Sequence, residues 1–464
     1  TNVTSNNSSV NVTGDQGVYF GNGTNVTAKD DITVASPNGS ISVIGSNVTS
    51  KEGAVNITAK EDTTIENSNS SGDKGVDISS TNGTTTVNAT NVTSNNGSVN
   101  VTGDKGVYVG NGTNITANED VNIGSANGSV SVVGSNVTAP GTVNITAKED
   151  TTIENSNISG DKGVNVDSDG TTTINASNVT SKDGSVNVTG DKGVYLGNGT
   201  NVTANEDVNI GSANGSVSVV GSNVTAPGTV NITAKEDTII ENSNISGDKG
   251  VNVDSDGTTT INASNVTSKD GSVNVTGDKG VYLGNGTNVT ANEDVNIGSA
   301  NGSVSVVGSN VTAPGTVNIT AKEDTIIENS NISGDKGVNV DSEGTTTINA
   351  SNVTSKDGSV NVTGDKGVYL GNGTNLTANE DVNIGSANGS VSVVGSNVTA
   401  PGTVNITAKE DTIIENSNIS GDKGVNVDSD GTTTINASNV TSKDGSVNVT
   451  GAQAVYFGNG TNLT

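Results

Sequence analysis

Asparagine followed two residues later by serine or threonine recurs along this chain at nearly regular intervals. Asn25, Asn47, Asn114, Asn136, Asn178, Asn201, Asn223 and Asn244 each open such a tripeptide, with Val or Ile in the middle. The tripeptide is the acceptor for N-linked glycosylation, which places a bulky sugar on a surface. A second reading needs no sugar: alternation along a strand turns Asn and Thr to solvent around an inward Val. Both readings stay open here. Further sequons lie at Asn187 and Asn231. Glycans on every site would collide, because neighbouring strands lie only about 4.8 Å apart.

Other side chains with chemical potential also recur. Tyr108, Tyr195, Tyr282 and Tyr369 stand at one equivalent position, 87 residues apart. Alternation turns them outward, as a partner contact or as cover for a corner. Acidic residues gather in turns such as "ANED" at 204–207 and "AKED" at 234–237. Carboxylate clusters are the ligands of Ca²⁺, but the Gly-Gly-x-Gly-x-Asp nonapeptide of calcium β-rolls is missing, so solvated turns are expected. No metal or cofactor is implied.

Catalysis is not expected. The chain has no Cys and no His, and all 20 basic residues are Lys. General acid–base chemistry needs a local constellation of tuned groups, whereas here every stretch has near-identical copies. A regular column of outward Thr raises ice binding as a possibility, but the mixed Asn and the uneven turns count against a match.

The elements that position these residues follow from two nested repeats. The string "NVTSxxxSVNVTGD" begins at Asn2, Asn91, Asn178, Asn265 and Asn352, and again at Asn439 with Ala452 in place of the final Asp. The long repeats are 1–89, 90–176, 177–263, 264–350 and 351–437, with a partial copy at 438–464. Inside each lie four sub-units opened by Ser/Thr-Asn-Val/Ile-Thr/Ser; between residues 177 and 263 they are 23, 22, 21 and 21 residues long. One opener departs from the pattern, "SNSS" at 68–71.

Each sub-unit reads as three short strands. In 177–199 apolar residues alternate with polar ones at Val179, at Val186 and Val188, and at Val194 and Leu196. That is the period of a strand with one buried face. Gly-, Asn- and Asp-rich turns separate the strands, and no helical periodicity is present. Three strands in about 21–23 residues predict one rung of a parallel β-helix, repeated about 21 times as a single continuous solenoid over 1–464. At the usual strand spacing such a stack is a rod roughly 100 Å long. A lone rung buries too few side chains to offset the cost of ordering its backbone, so stacking must supply the difference.

The copies also predict facing. "DTTIEN" in the first two long repeats becomes "DTIIEN" later, so Thr64 and Thr152 align with Ile239. A position that accepts Thr or Ile points outward; this places Ile239, Ile326 and Ile413 on the surface as candidate contacts, and Ile240 in the core.

Composition narrows the partners. With 20 basic and 49 acidic residues the net charge is −29. That disfavours nucleic acid and anionic membranes. No apolar run is long enough to cross a bilayer. The chain begins at Thr1 rather than Met, as expected of a processed product or of part of a longer chain.

Rungs of the "GSVNVTG", "GTVNITA" and "TINASNVTS" kind resemble those of the filamentous haemagglutinin class, the exoproteins and adhesins of two-partner secretion in Gram-negative bacteria. The resemblance covers the whole chain and rests on rung texture; the secretion domain of such proteins is not recognisable. It implies a right-handed parallel β-helix, export through an outer-membrane partner, and a fibre on the cell surface. In one branch, the high-molecular-weight adhesins, a cytoplasmic enzyme glycosylates Asn in sequons of the present kind. The expected role is a structural shaft that holds an adhesive region away from the cell. The alternatives are a filament or matrix subunit that adds end to end by β-stacking, and a rod with repeated weak sites for host or matrix glycans.

Overall fold

The computed structural model describes residues 1–464. It consists of 64 short strands joined by tight turns, with no helix. The chain divides into two compact units, Thr1–Ala234 and Lys235–Thr464. Each unit is a parallel β-solenoid with three strands per rung, and the rungs number about 21 in all at about 22 residues each.

One rung shows why these residues form these elements. Its strands are Asn178–Ser181, Val186–Thr189 and Gly193–Leu196. Each pairs in parallel with the strand three places on in sequence: Asn178 with Asn201, Val186 with Val208, and Gly193 with Ser216. Like therefore stacks on like, and three sheets form. Val179, Val186, Val188, Val194 and Leu196 all point inward and are buried. The β-branched Val and Ile that fill the core also favour extended backbone.

The corner before each opener has a fixed geometry. The residue preceding the opener lies in the left-handed region: Gly134 at φ 58°, Asn155 at 49°, Ala176 at 47° and Gly199 at 78°. This reverses the chain from the third sheet into the first. The opener itself, Ser or Thr, is buried. The Ser156 hydroxyl donates to the Glu154 carbonyl at 2.7 Å and accepts the backbone N–H of Ser135 at 3.1 Å. Ser177 does the same one rung on, donating to Asn175 at 2.8 Å and accepting from Ser156 at 3.1 Å. A spine of buried hydroxyls thus satisfies polar backbone groups that the turn leaves unpaired.

The irregular opener "SNSS" is accommodated without a change of register. Ser70 pairs with Val48 on one side and Val92 on the other. It takes the inward place of Val, is 1% exposed, and its hydroxyl has no partner.

Candidate functional site

The acidic turns are structural caps. Asp207 accepts the backbone N–H of Thr229 on the next rung at 2.7 Å, and Asp294 accepts that of Thr316 at 2.7 Å. Ala54, Thr84, Thr142 and Thr171 are capped in the same way by Asp31, Asp62, Asp120 and Asp150. A carboxylate spent on a backbone donor is not gathered with others around a cation, and no cluster of three or more His, Cys, Asp or Glu is present. The lysines pair across rungs: Lys182 with Asp161 at 3.8 Å, Lys322 with Glu343 at 2.5 Å, Lys148 with Asp169. The hydrogen bond from Lys148 to the Asp169 carboxylate, and then its charge, hold the ammonium above the ordinary lysine value. These pairs are exposed, so each contributes little to stability.

The sequon asparagines form the first residue of each strand of the first sheet. Asn25, Asn47, Asn114, Asn136, Asn178, Asn223 and Asn244 are exposed, and Asn201 is half-buried. Their side chains also bond to one another. Asn47 donates to Asn25 at 2.9 Å, Asn136 to Asn114 at 2.9 Å, Asn201 to Asn178 and Asn223 to Asn201 at 3.0 Å. The column is interrupted, since no such bond joins Asn157 to Asn136.

A second asparagine column runs along the middle of the second sheet and is more regular. In the first unit it passes from Asn231 through Asn209, Asn187, Asn165, Asn144 and Asn122 to Asn100, with donor–acceptor distances of 2.8–2.9 Å. These side chains are half-buried. Every second member lacks a sequon, for example Asn209 in "NIG" and Asn165 in "NVD". Hydrogen bonding along the stack therefore explains this column by itself. The sequence marked Asn187 and Asn231 only as sequons; their recurrence in rungs without a sequon was the available signal for a ladder.

The tyrosines and isoleucines come together. In the third sheet of the second unit, Ile239 pairs with Thr260, Thr260 with Tyr282, Tyr282 with Ser305, Ser305 with Ile326, Ile326 with Thr347 and Thr347 with Tyr369. Tyr369 continues through Ser392 to Ile413. All lie in one outward column. Ile239 is 37% exposed beside Ile240 at 0%, as the copies predicted. In the first unit the same column holds Tyr108, Thr152 and Tyr195, with Ser131 and Thr173 between. Each ring also covers a corner. A Cβ at Gly197 would meet Tyr195 Cε1 at 3.0 Å, and one at Gly284 would meet Tyr282 Cε1 at 3.0 Å. The ring thus lies along its strand over a glycine that leaves room for it, with its outer side in solvent.

Three-stranded parallel rungs, like-on-like columns and a Val/Ile core define the chain as a β-solenoid shaft. The hemagglutinin-repeat family model matches residues 38–190, 127–277, 212–364 and 301–451. The chain belongs to that family, one of structural and adhesin proteins rather than enzymes. The family is a secreted, cell-surface one, and no helix is long and apolar enough to cross a membrane. No curated protein sequence and no solved structure matches the chain.

Proposed function

We propose that this chain is a length of rigid shaft in a surface fibre that projects an adhesive region away from the cell. The observation that carries the reading is the repetition of interactions, beyond that of sequence. The core columns, the capping aspartates and the asparagine ladder recur from the second long repeat onward with equivalent partners; in the first, Thr33 and Asp77 interrupt the ladder. A spacer requires only length and stiffness, and identical interlocking rungs supply both. Export through an outer-membrane partner belongs to the same reading, by family. So does glycan attachment on the exposed sequon column, limited by crowding to rungs that are not adjacent.

The test is deletion of residues 264–350, one long repeat of four rungs, from the secreted protein. The expected result is normal export and a fibre shorter by about 19 Å, four strand spacings, in electron micrographs. Unchanged length, or failure of the shortened chain to fold, would count against the spacer reading.

A further inference from the structure

The outward column of the second unit carries a large apolar side chain on every second rung. Ile239, Tyr282, Ile326, Tyr369 and Ile413 alternate with Thr260, Ser305, Thr347 and Ser392. At the usual strand spacing the apolar steps are about 10 Å apart. The first unit does not have this period: Thr64 and Thr152 hold the isoleucine places, so its tyrosines stand alone every fourth rung. Each tyrosine presents one side of a ring laid along the sheet over its glycine.

Charge is distributed along the same track. Glu328 lies two residues after Ile326 on the same strand, half-buried and on the same face, while Asp324, just before the strand, caps the Thr345 N–H. Glu241 and Glu415 stand in the same way beside Ile239 and Ile413, with Asp237 and Asp411 capping Thr258 and Thr432. At the equivalent Tyr108 of the first unit the groove is lined by both Lys105 and Glu149. A chain of net charge −29 repels a second copy of itself and any polyanion. The complementary partner is cationic, with flat apolar faces at a regular interval.

We propose that this stripe is a binding track for an extended β-1,4-linked amino-sugar polymer bearing free ammonium groups. Such a glycan turns each ring over relative to the last, so every second sugar offers the same face, an interval close to two rungs. Its apolar ring faces rest on Tyr and Ile. Its ammonium groups meet the glutamate carboxylate beside each isoleucine, Glu241, Glu328 and Glu415, and the tyrosine ring faces. Each step is weak, and affinity accumulates with the number of steps engaged.

The probe is chitosan oligomers, with the full chain immobilised and the pH low enough to keep the amines protonated. The informative variant is Ile239→Thr, Ile326→Thr, Ile413→Thr. It installs the residue the first unit already carries at this column, so its melting temperature should match the parent's. Binding is expected to fall about tenfold. Adding Tyr282→Ser and Tyr369→Ser, which repeat the residue already present at Ser305 and Ser392, should lower it further. Undiminished binding in the threonine variant would overturn the proposal. Capture of polylysine that drops by the same factor would also overturn it, by making the stripe a docking face for basic polypeptide.

Discussion

Asn209 stands directly over Asn187, and its side-chain amide donates to the Asn187 Oδ1 at 2.9 Å. Asn187 in turn donates to Asn165 at 2.8 Å. Each amide therefore gives one hydrogen bond down the stack and receives one from above, in a half-buried setting where a lost partner is not fully replaced by water. Asn187→Ala leaves an acceptor and a donor unsatisfied. It should cost about 1–3 kcal/mol and lower the urea midpoint. Asn223→Ala, at an exposed member of the other column, should cost well under half as much. Equal effects would mean that the half-buried ladder contributes no more than surface contacts do.

Ser70 sits in the Val column with an unpartnered hydroxyl. Ser70→Val adds apolar burial and removes an unsatisfied polar group. It should stabilise by about 2 kcal/mol, read as a higher thermal midpoint. A lower midpoint would show that the rung has closed around the smaller side chain.

Left-handed corners give opposite expectations at two copies. Ala176 holds φ 47°, a conformation that costs an L-residue about 1–2 kcal/mol. Ala176→Gly should therefore stabilise by about 1 kcal/mol. Gly221 has a similar φ of 58°, but a Cβ there would lie 1.7 Å from Asn198 Oδ1. Gly221→Ala should destabilise by more than the Ala176 change gains, because it adds a clash to the strain. Denaturant midpoints of the two single variants decide the matter; shifts of the same sign would refute the argument.

Lys148 is bonded to the Asp169 carboxylate, which raises its ammonium above the ordinary lysine value. The folded value being the higher one, this pair contributes fully below the unfolded lysine value and is lost as pH rises through the folded value. NMR titration of the Lys148 side chain should show a late transition that Asp169→Asn moves down. The accompanying change in stability should be small, since both groups are exposed.

Much of this protein is fixed by local pattern. The period of the opener gives the rung, and alternation gives the facing of Val186, Val188 and Leu196. The Thr-to-Ile exchange between copies correctly separates Ile239 from Ile240. These properties follow from the geometry of one strand, where successive side chains must take opposite faces.

Register between rungs is a different kind of information. Tyr282 and Ile326 are 44 residues apart and belong to sub-units of different type and length. Nothing along the chain says that they share a column; the turns between must absorb the unequal lengths before the strands align. Along the chain, the tyrosines and the isoleucines each recur only once per long repeat. The backbone ladder set their common column at two-rung spacing. The same holds for Asn187, legible as a sequon but not as a link between Asn165 and Asn209, and for Ala176, whose left-handed backbone no propensity favours. The sequence by itself determined the fold and the inward residues, because those depend on near neighbours. Only the tertiary structure decided which outward residues meet, because cross-rung hydrogen bonds fix a register that the chain between them does not encode locally.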